Sequence, residues 1–180
     1  MSTYHHGDLR AALLRGAAKI LETQGIPALS LRDAARRAGV SHSAPYRHFP
    51  DREALLAALA AEGFELLGEA MRGHSGREMG EAYVRFALAH PQRFRLMFGG
   101  TVPMAKHAAL RGAAAATHRT LVGAFSDLPR PQLAAAAAWS LVHGLSHLLL
   151  DGHFESAGNV EQFAAQVIGA VRFASGQRAT

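Results

Sequence analysis

The 180-residue sequence contains no cysteine. That excludes disulfide staples, thiolate metal centres and cysteine nucleophiles, and it suits a reducing compartment. No long apolar run opens the chain, which begins MSTYHHGDLR, so a signal peptide is not expected. The most apolar segment, Leu133–Leu150, carries Ser140, His143 and His147, with Gln132 just before it. This pattern reads as a buried helix rather than a membrane span, and a cytoplasmic chain without a membrane partner is expected. β-branched residues are few and scattered, which disfavours sheet. The usual catalytic signatures are missing as well. There is no phosphate-cradling glycine loop, no Gly-x-Ser-x-Gly elbow and no His-Glu-x-x-His pair. Ser140 and His143 are helix neighbours with no orienting carboxylate or oxyanion donor nearby in sequence. Glu62 and Glu65 read as solvated helix residues. No catalytic residue, cofactor or enzymatic role is assigned.

What is present points to packed helices. Apolar residues make up 49% of the chain, with alanine runs at Ala113–Ala116 and Ala134–Ala138. That composition and length suit either one large helical domain or a small domain joined to a larger one. The net charge is +5, unevenly placed. Residues 1–52 hold eight Lys/Arg against four Asp/Glu, whereas residues 53–180 hold eleven against ten. A basic first third on a near-neutral remainder is either a head for a polyanion or a solvated basic face.

Residues 1–7 form a loose arm in which Tyr4, His5 and His6 either brush phosphate or remain unstructured. A first helix is expected from about Asp8 to Thr23, its apolar stripe being Leu9, Leu13, Ala17, Ile20 and Leu21, with Gly25 closing it. Ser30 opens a second helix, and Asp33 three residues later completes a near capping box. Arg32, Arg36 and Arg37 face outward, where they either touch phosphate or simply meet water. Gly39 permits a tight turn and Val40 fills the angle. Ser41 or Ser43 then caps a third helix ending near Phe49, whose start must be tight because Pro45 is tolerated only in a first turn. Two short helices meeting at such a turn form a helix-turn-helix, in which one helix braces and the next enters the major groove. On this reading His42, Ser43, Ala44 and Arg47 read bases, while Tyr46, His48, Arg52 and backbone amides hold phosphates. The alternative is a helix pair used only for packing.

Further on, helices are expected at about Arg52–Met71, Glu78–Ala89, Pro91–Phe98, Met104–Phe125, Gln132–Leu150 and Val160–Phe173, with a joint at residues 73–77. Gly169 and Ala170 would let helices approach closely. Phe94, Met97, Phe98, Trp139, His143 and His147 offer an apolar, aromatic set with a few polar tips, suited either to a small-molecule pocket or to plain core packing. His143, His147 and Asp151 fall at i, i+4 and i+8. That spacing suits either three metal ligands or hydrogen-bonded histidines; with no fourth ligand evident, metal is not expected.

Ser30-Leu31-Arg32-Asp33-Ala34-Ala35, Ala38-Gly39-Val40-Ser41, Tyr46-Arg47-His48-Phe49 and Arg52-Glu53-Ala54-Leu55 together resemble the TetR/AcrR family of bacterial regulators. Trp139-Ser140-Leu141-Val142-His143-Gly144 resembles the Trp-His-Gly signature of one of its C-terminal subfamilies, and the opening Tyr-His-His-Gly-Asp-Leu-Arg is similar to the start of many such members. Family members commonly carry Lys where this chain has Arg52, and an apolar residue where it has Pro45. The resemblance implies an all-α protein: a three-helix DNA-binding domain over residues 1–54, then a larger helical effector-binding and dimerisation domain over 55–180. It further implies a repressor on double-stranded operator DNA, a homodimer joined through its last two helices, and release by a small-molecule effector. An activator of the same fold, or a helical binding module that no longer uses DNA, are the alternatives.

Overall fold

A computed structural model describes residues 6–74, 76–154 and 158–171. The order is α1 (His6–Gln24), α2 (Leu31–Ala38), α3 (Arg52–Met71), α4 (Gly76–Ala89), α5 (Pro91–Phe98), α6 (Ala108–Gly123), α7 (Pro131–Leu150) and α8 (Val160–Ala170), with 3-10 turns at Ile26–Ala28, Ala44–Arg47 and Met104–Lys106. No strand occurs among the described residues, so the all-α expectation holds. Tyr4, His5 and Phe173 lie outside the described residues.

Several expected boundaries shift for local reasons. α1 begins at His6, ahead of Asp8. The helix expected from Met104 starts at Ala108 instead, because Met104–Lys106 form a separate 3-10 turn that His107 closes in an extended conformation. The third helix is the clearest correction. Instead of a helix reaching Phe49, the chain makes only the four-residue 3-10 turn Ala44–Arg47, with no side-chain cap from Ser43. Pro45 is buried in that turn. Its ring fixes the backbone and removes one donor, and its carbonyl accepts from both His48 N–H and Phe49 N–H at 2.9 Å, which closes the turn after a single cycle.

The chain forms two compact units: residues up to Phe64 together with His90–Ala114, and Glu65–Ala89 together with Ala115 onward. The expected boundary after residue 54 therefore falls inside α3, and residues 90–114 return to the first unit. In that unit α1 buries Leu9, Leu13, Ala17, Ile20 and Leu21, the stripe its spacing predicts. α2 crosses α1 closely at Gly16, where an added Cβ would lie 3.2 Å from the Ala34 carbonyl oxygen. Arg93 of α5 is buried in the same unit. Its Nη1 donates to Glu62 Oε2 of α3 at 3.0 Å, and its Nε lies 3.7 Å from Glu22 Oε1 of α1. One cation thus links three helices, hydrogen-bonded to Glu62 and at ion-pair distance from Glu22.

The second unit packs α4 against α7 and α8. Gly80 makes this possible: a Cβ there would sit 3.2 Å from Val142 Cγ1 of α7 and 3.4 Å from Ile168 Cγ2 of α8. Phe125, Ala135 and Ala138 form a second cluster, covered by Leu121, Val122 and Leu128.

Candidate nucleic-acid interface and effector cavity

The first site grows out of two well-made caps. Ser30 Oγ accepts from Asp33 N–H at 3.1 Å and also donates to the Asp33 carboxylate. Asp33 in turn pairs with Arg36 at 2.7 Å. At the other end of α2, Gly39 adopts the left-handed conformation, φ 70° and ψ 29°. Its N–H donates to the Arg36 carbonyl, and Val40 N–H reaches the Ala35 carbonyl at 3.1 Å. This is a Schellman closure, and it sends the chain sharply away from the helix axis. The 3-10 turn follows at once.

That turn has an inner and an outer side. Pro45 and Phe49 are buried, and the Arg10 guanidinium lies 5.4 Å from the Phe49 ring centroid. His42, Ser43, Tyr46 and Arg47 are exposed, with Ala44 and His48 half-buried beside them. Tyr46 is 51% exposed, unusual for so large a ring and without gain to this chain's own core. Of the seven residues expected at DNA, six thus gather on or beside one short, outward surface. Arg52 is engaged differently. Its Nε donates to the Leu29 carbonyl at 2.7 Å and its Nη2 to the Ile26 carbonyl at 2.6 Å, so it braces the connection between α1 and α2. The exposed Arg32, Arg36 and Arg37 of α2 add positive charge to the same head.

The second site centres on a residue that sequence spacing does not reveal. Tyr83 of α4 is buried, and its hydroxyl meets both signature residues of α7. Trp139 Nε1–H donates to the Tyr83 oxygen at 3.1 Å, and the Tyr83 hydroxyl lies 2.9 Å from His143 Nδ1. An indole nitrogen only donates, so the phenol oxygen accepts from Trp139, and the same hydroxyl shares its second hydrogen bond with His143 Nδ1. Burial pushes the Tyr83 phenol far above its usual range, and the Trp139 bond offsets this only partly. His143 moves down, chiefly from burial and secondly from the charge of His147, whose ring lies 4.7 Å away. Trp139 and His143 share a face, as their spacing predicts, and that face grips Tyr83.

Tyr83 and Trp139 also form part of the wall of a cavity of about 190 Å³, together with Met79, Phe125, Val142 and Arg77. Of the six expected ligand residues, Trp139 lines this cavity, while His143 stands behind Tyr83. Phe94, Met97 and Phe98 belong instead to the first unit. There Phe94 is fully buried, and Phe98 packs on Phe64 and Phe94 at centroid distances of 5.2 and 5.0 Å. The set expected as one pocket is therefore divided. Among the described residues no group of three or more His, Cys, Asp or Glu is placed to hold a metal ion. Gly169 also serves another purpose than helix contact: its missing side chain accommodates the Arg77 guanidinium, whose Nη1 would be 3.1 Å from a Cβ there.

Comparison with known proteins agrees with both halves. Residues 13–59 match the model of the bacterial regulatory proteins of the tetR family, and residues 76–171 match a tetracyclin repressor-like C-terminal domain. None of the curated protein sequences matches the chain. Among solved structures, a protein of unknown function from Rhodococcus sp. RHA1 is 34% identical, with a TM-score of 0.80 over 94% of this chain and 96% of that one. A tetR-family transcriptional regulator from Streptomyces coelicolor shares the fold at 17% identity and a TM-score of 0.73, covering 93% of this chain and 80% of that one. The TetR family regulator PfmR from Thermus thermophilus does so at 22% identity and 0.59, covering 92% and 99%. With a capped helix-turn-helix head in its first third and the matching helical domain in the remainder, the chain belongs to the TetR family of DNA-binding transcriptional regulators.

Proposed function

We propose that this regulator is a cytoplasmic, homodimeric repressor that leaves a palindromic operator when a small molecule occupies the second unit. The observation that carries the DNA contact is the outward group His42, Ser43, Ala44, Tyr46, Arg47 and His48 on a turn held rigid from beneath by Pro45 and Phe49. Arg47 is the longest donor fork in that group and suits a guanine edge. Tyr46 and His48 flank it as phosphate contacts. Arg52 supports them by holding the α1–α2 connection. The head is presented by residues 1–54 within the first unit, and the second unit, Glu65–Ala89 with Ala115 onward, serves as the sensing and pairing body. No catalytic step enters this reading.

Pairing is supported by α7. It is long and apolar enough to cross a membrane by length and composition, yet 28% of the residues in its apolar stretch are buried. Leu133 is 62% exposed and Leu148 is 42% exposed on this helix, and Gly144 opens onto free space. An apolar helix face with a glycine suits close contact with the same face of a second copy. The operator test is a binding titration with duplexes selected from a random pool. Arg47→Ala and Tyr46→Ala each lose affinity by about 1–3 kcal/mol. Unchanged affinity in both variants at the same salt concentration rejects the assignment.

A further inference from the structure

We propose that the cavity of the second unit takes a small aromatic carboxylate, a single ring bearing one short acid arm, with the acid on Arg77. This rests on the effector reading above and narrows its chemistry. Size sets the first limit. The cavity is about 190 Å³, and an engineered apolar cavity of roughly 150 Å³ holds one benzene. One ring and a short substituent match that volume.

The walls set the second. Three aromatic side chains, Tyr83, Phe125 and Trp139, line the space with Met79 and Val142. A flat ring meets them through offset or edge contacts that an alkyl chain cannot make. The polar atoms of the two largest aromatic walls are already engaged. Trp139 Nε1–H is bonded to Tyr83, and the Tyr83 hydroxyl is bonded to His143. A neutral ligand that needs hydrogen bonds gains little there.

Charge sets the third. Among the described residues lining the cavity, Arg77 is the one that carries a charge. Its Nε is bonded to Glu81 Oε1 at 2.6 Å, which orients the guanidinium, and Glu81 Oε2 is also faced by Arg85 at 3.8 Å. Two cations sharing one carboxylate leave the group net positive. Gly169 gives the guanidinium its place: Nη1 and Cζ would lie 3.1 and 3.3 Å from any Cβ there. A fixed, net-positive fork at the edge of an aromatic cavity selects a planar carboxylate.

The test is calorimetric titration of the full chain with phenylacetate, its neutral counterpart phenylacetamide, and decanoate. Phenylacetate should bind once per chain and at least tenfold more tightly than phenylacetamide. Arg77→Gln, at a position that is 60% exposed and so tolerant of change, should abolish that preference while leaving thermal unfolding of the unliganded protein unchanged. Equal affinities for acid and amide, an acid preference that survives Arg77→Gln, or binding of decanoate alone would each overturn the proposal. Operator binding by the unliganded wild type and by Arg77→Gln is measured alongside. If both hold DNA and no aryl acid binds, the ligand class is wrong and the regulator reading stands. If the unliganded wild type holds no selected DNA, the regulator reading itself fails, and the effector assignment with it.

Discussion

His143 shows what one side chain contributes when its surroundings shift its protonation. Its Nδ1 lies 2.9 Å from the Tyr83 hydroxyl. Burial and His147 both lower its pKa from the ordinary 6.5. The unfolded chain therefore binds a proton at this position before the folded chain does. Stability is full above the ordinary histidine range and falls as pH drops through it, until the folded ring also protonates. Thermal unfolding between pH 7.5 and 5 should show this loss, and His143→Gln should reduce it. A wild type and variant with the same pH slope would place the proton sensitivity elsewhere. In this chain Trp139 and His143 act together because both bond the same phenol. Their shared face was legible from their spacing. Tyr83 was not, because it lies 60 positions from His143 and no period links residues on separate helices. Arg52 was misleading for a related reason. A cation after Asp51 suits phosphate equally well, and its actual acceptors are backbone carbonyls, which leave no mark in a sequence.

Helices announce their ends more clearly than their middles, and α2 is the best case. Ser30, Asp33 and Gly39 marked its limits in sequence, and each makes the bond its position calls for. Two substitutions test how far these caps hold the head. Ser30→Ala should cost about 1 kcal/mol through loss of the cap. Gly39→Ala meets no steric obstacle but forces an L-residue to φ 70°, at about 1–2 kcal/mol. Denaturant titration reads both; no loss in either would mean that the caps do not set the stability of this unit. The following element was read less well. Pro45 signalled a constrained start, but not that the helix would close as a single 3-10 cycle. That outcome depends on burying the Pro45 ring and Phe49 beneath the turn, which is tertiary packing. In the same way, the spacing of Phe94 and Met97 showed a buried face without showing which unit would bury it.

At the scale of the whole molecule, the question is how two copies and one DNA duplex combine. If the proposed dimer pairs through the exposed apolar face of α7, Leu148→Glu shifts it to monomer, as read by sedimentation, and weakens operator binding with it. A variant that stays dimeric would move the interface to another face. On the proposed repressor reading, effector and operator favour different arrangements of the paired heads, since a ligand that binds both equally shifts nothing. All of this depends on DNA recognition by the short turn after α2. Selection of duplexes from a random pool, followed by titration of the winners at fixed salt, tests it most directly. Enrichment of a two-fold symmetric site bound far more tightly than random DNA is expected, with affinity lost in Arg47→Ala. No enrichment, or a selected site bound equally well by Arg47→Ala and Tyr46→Ala, would contradict it.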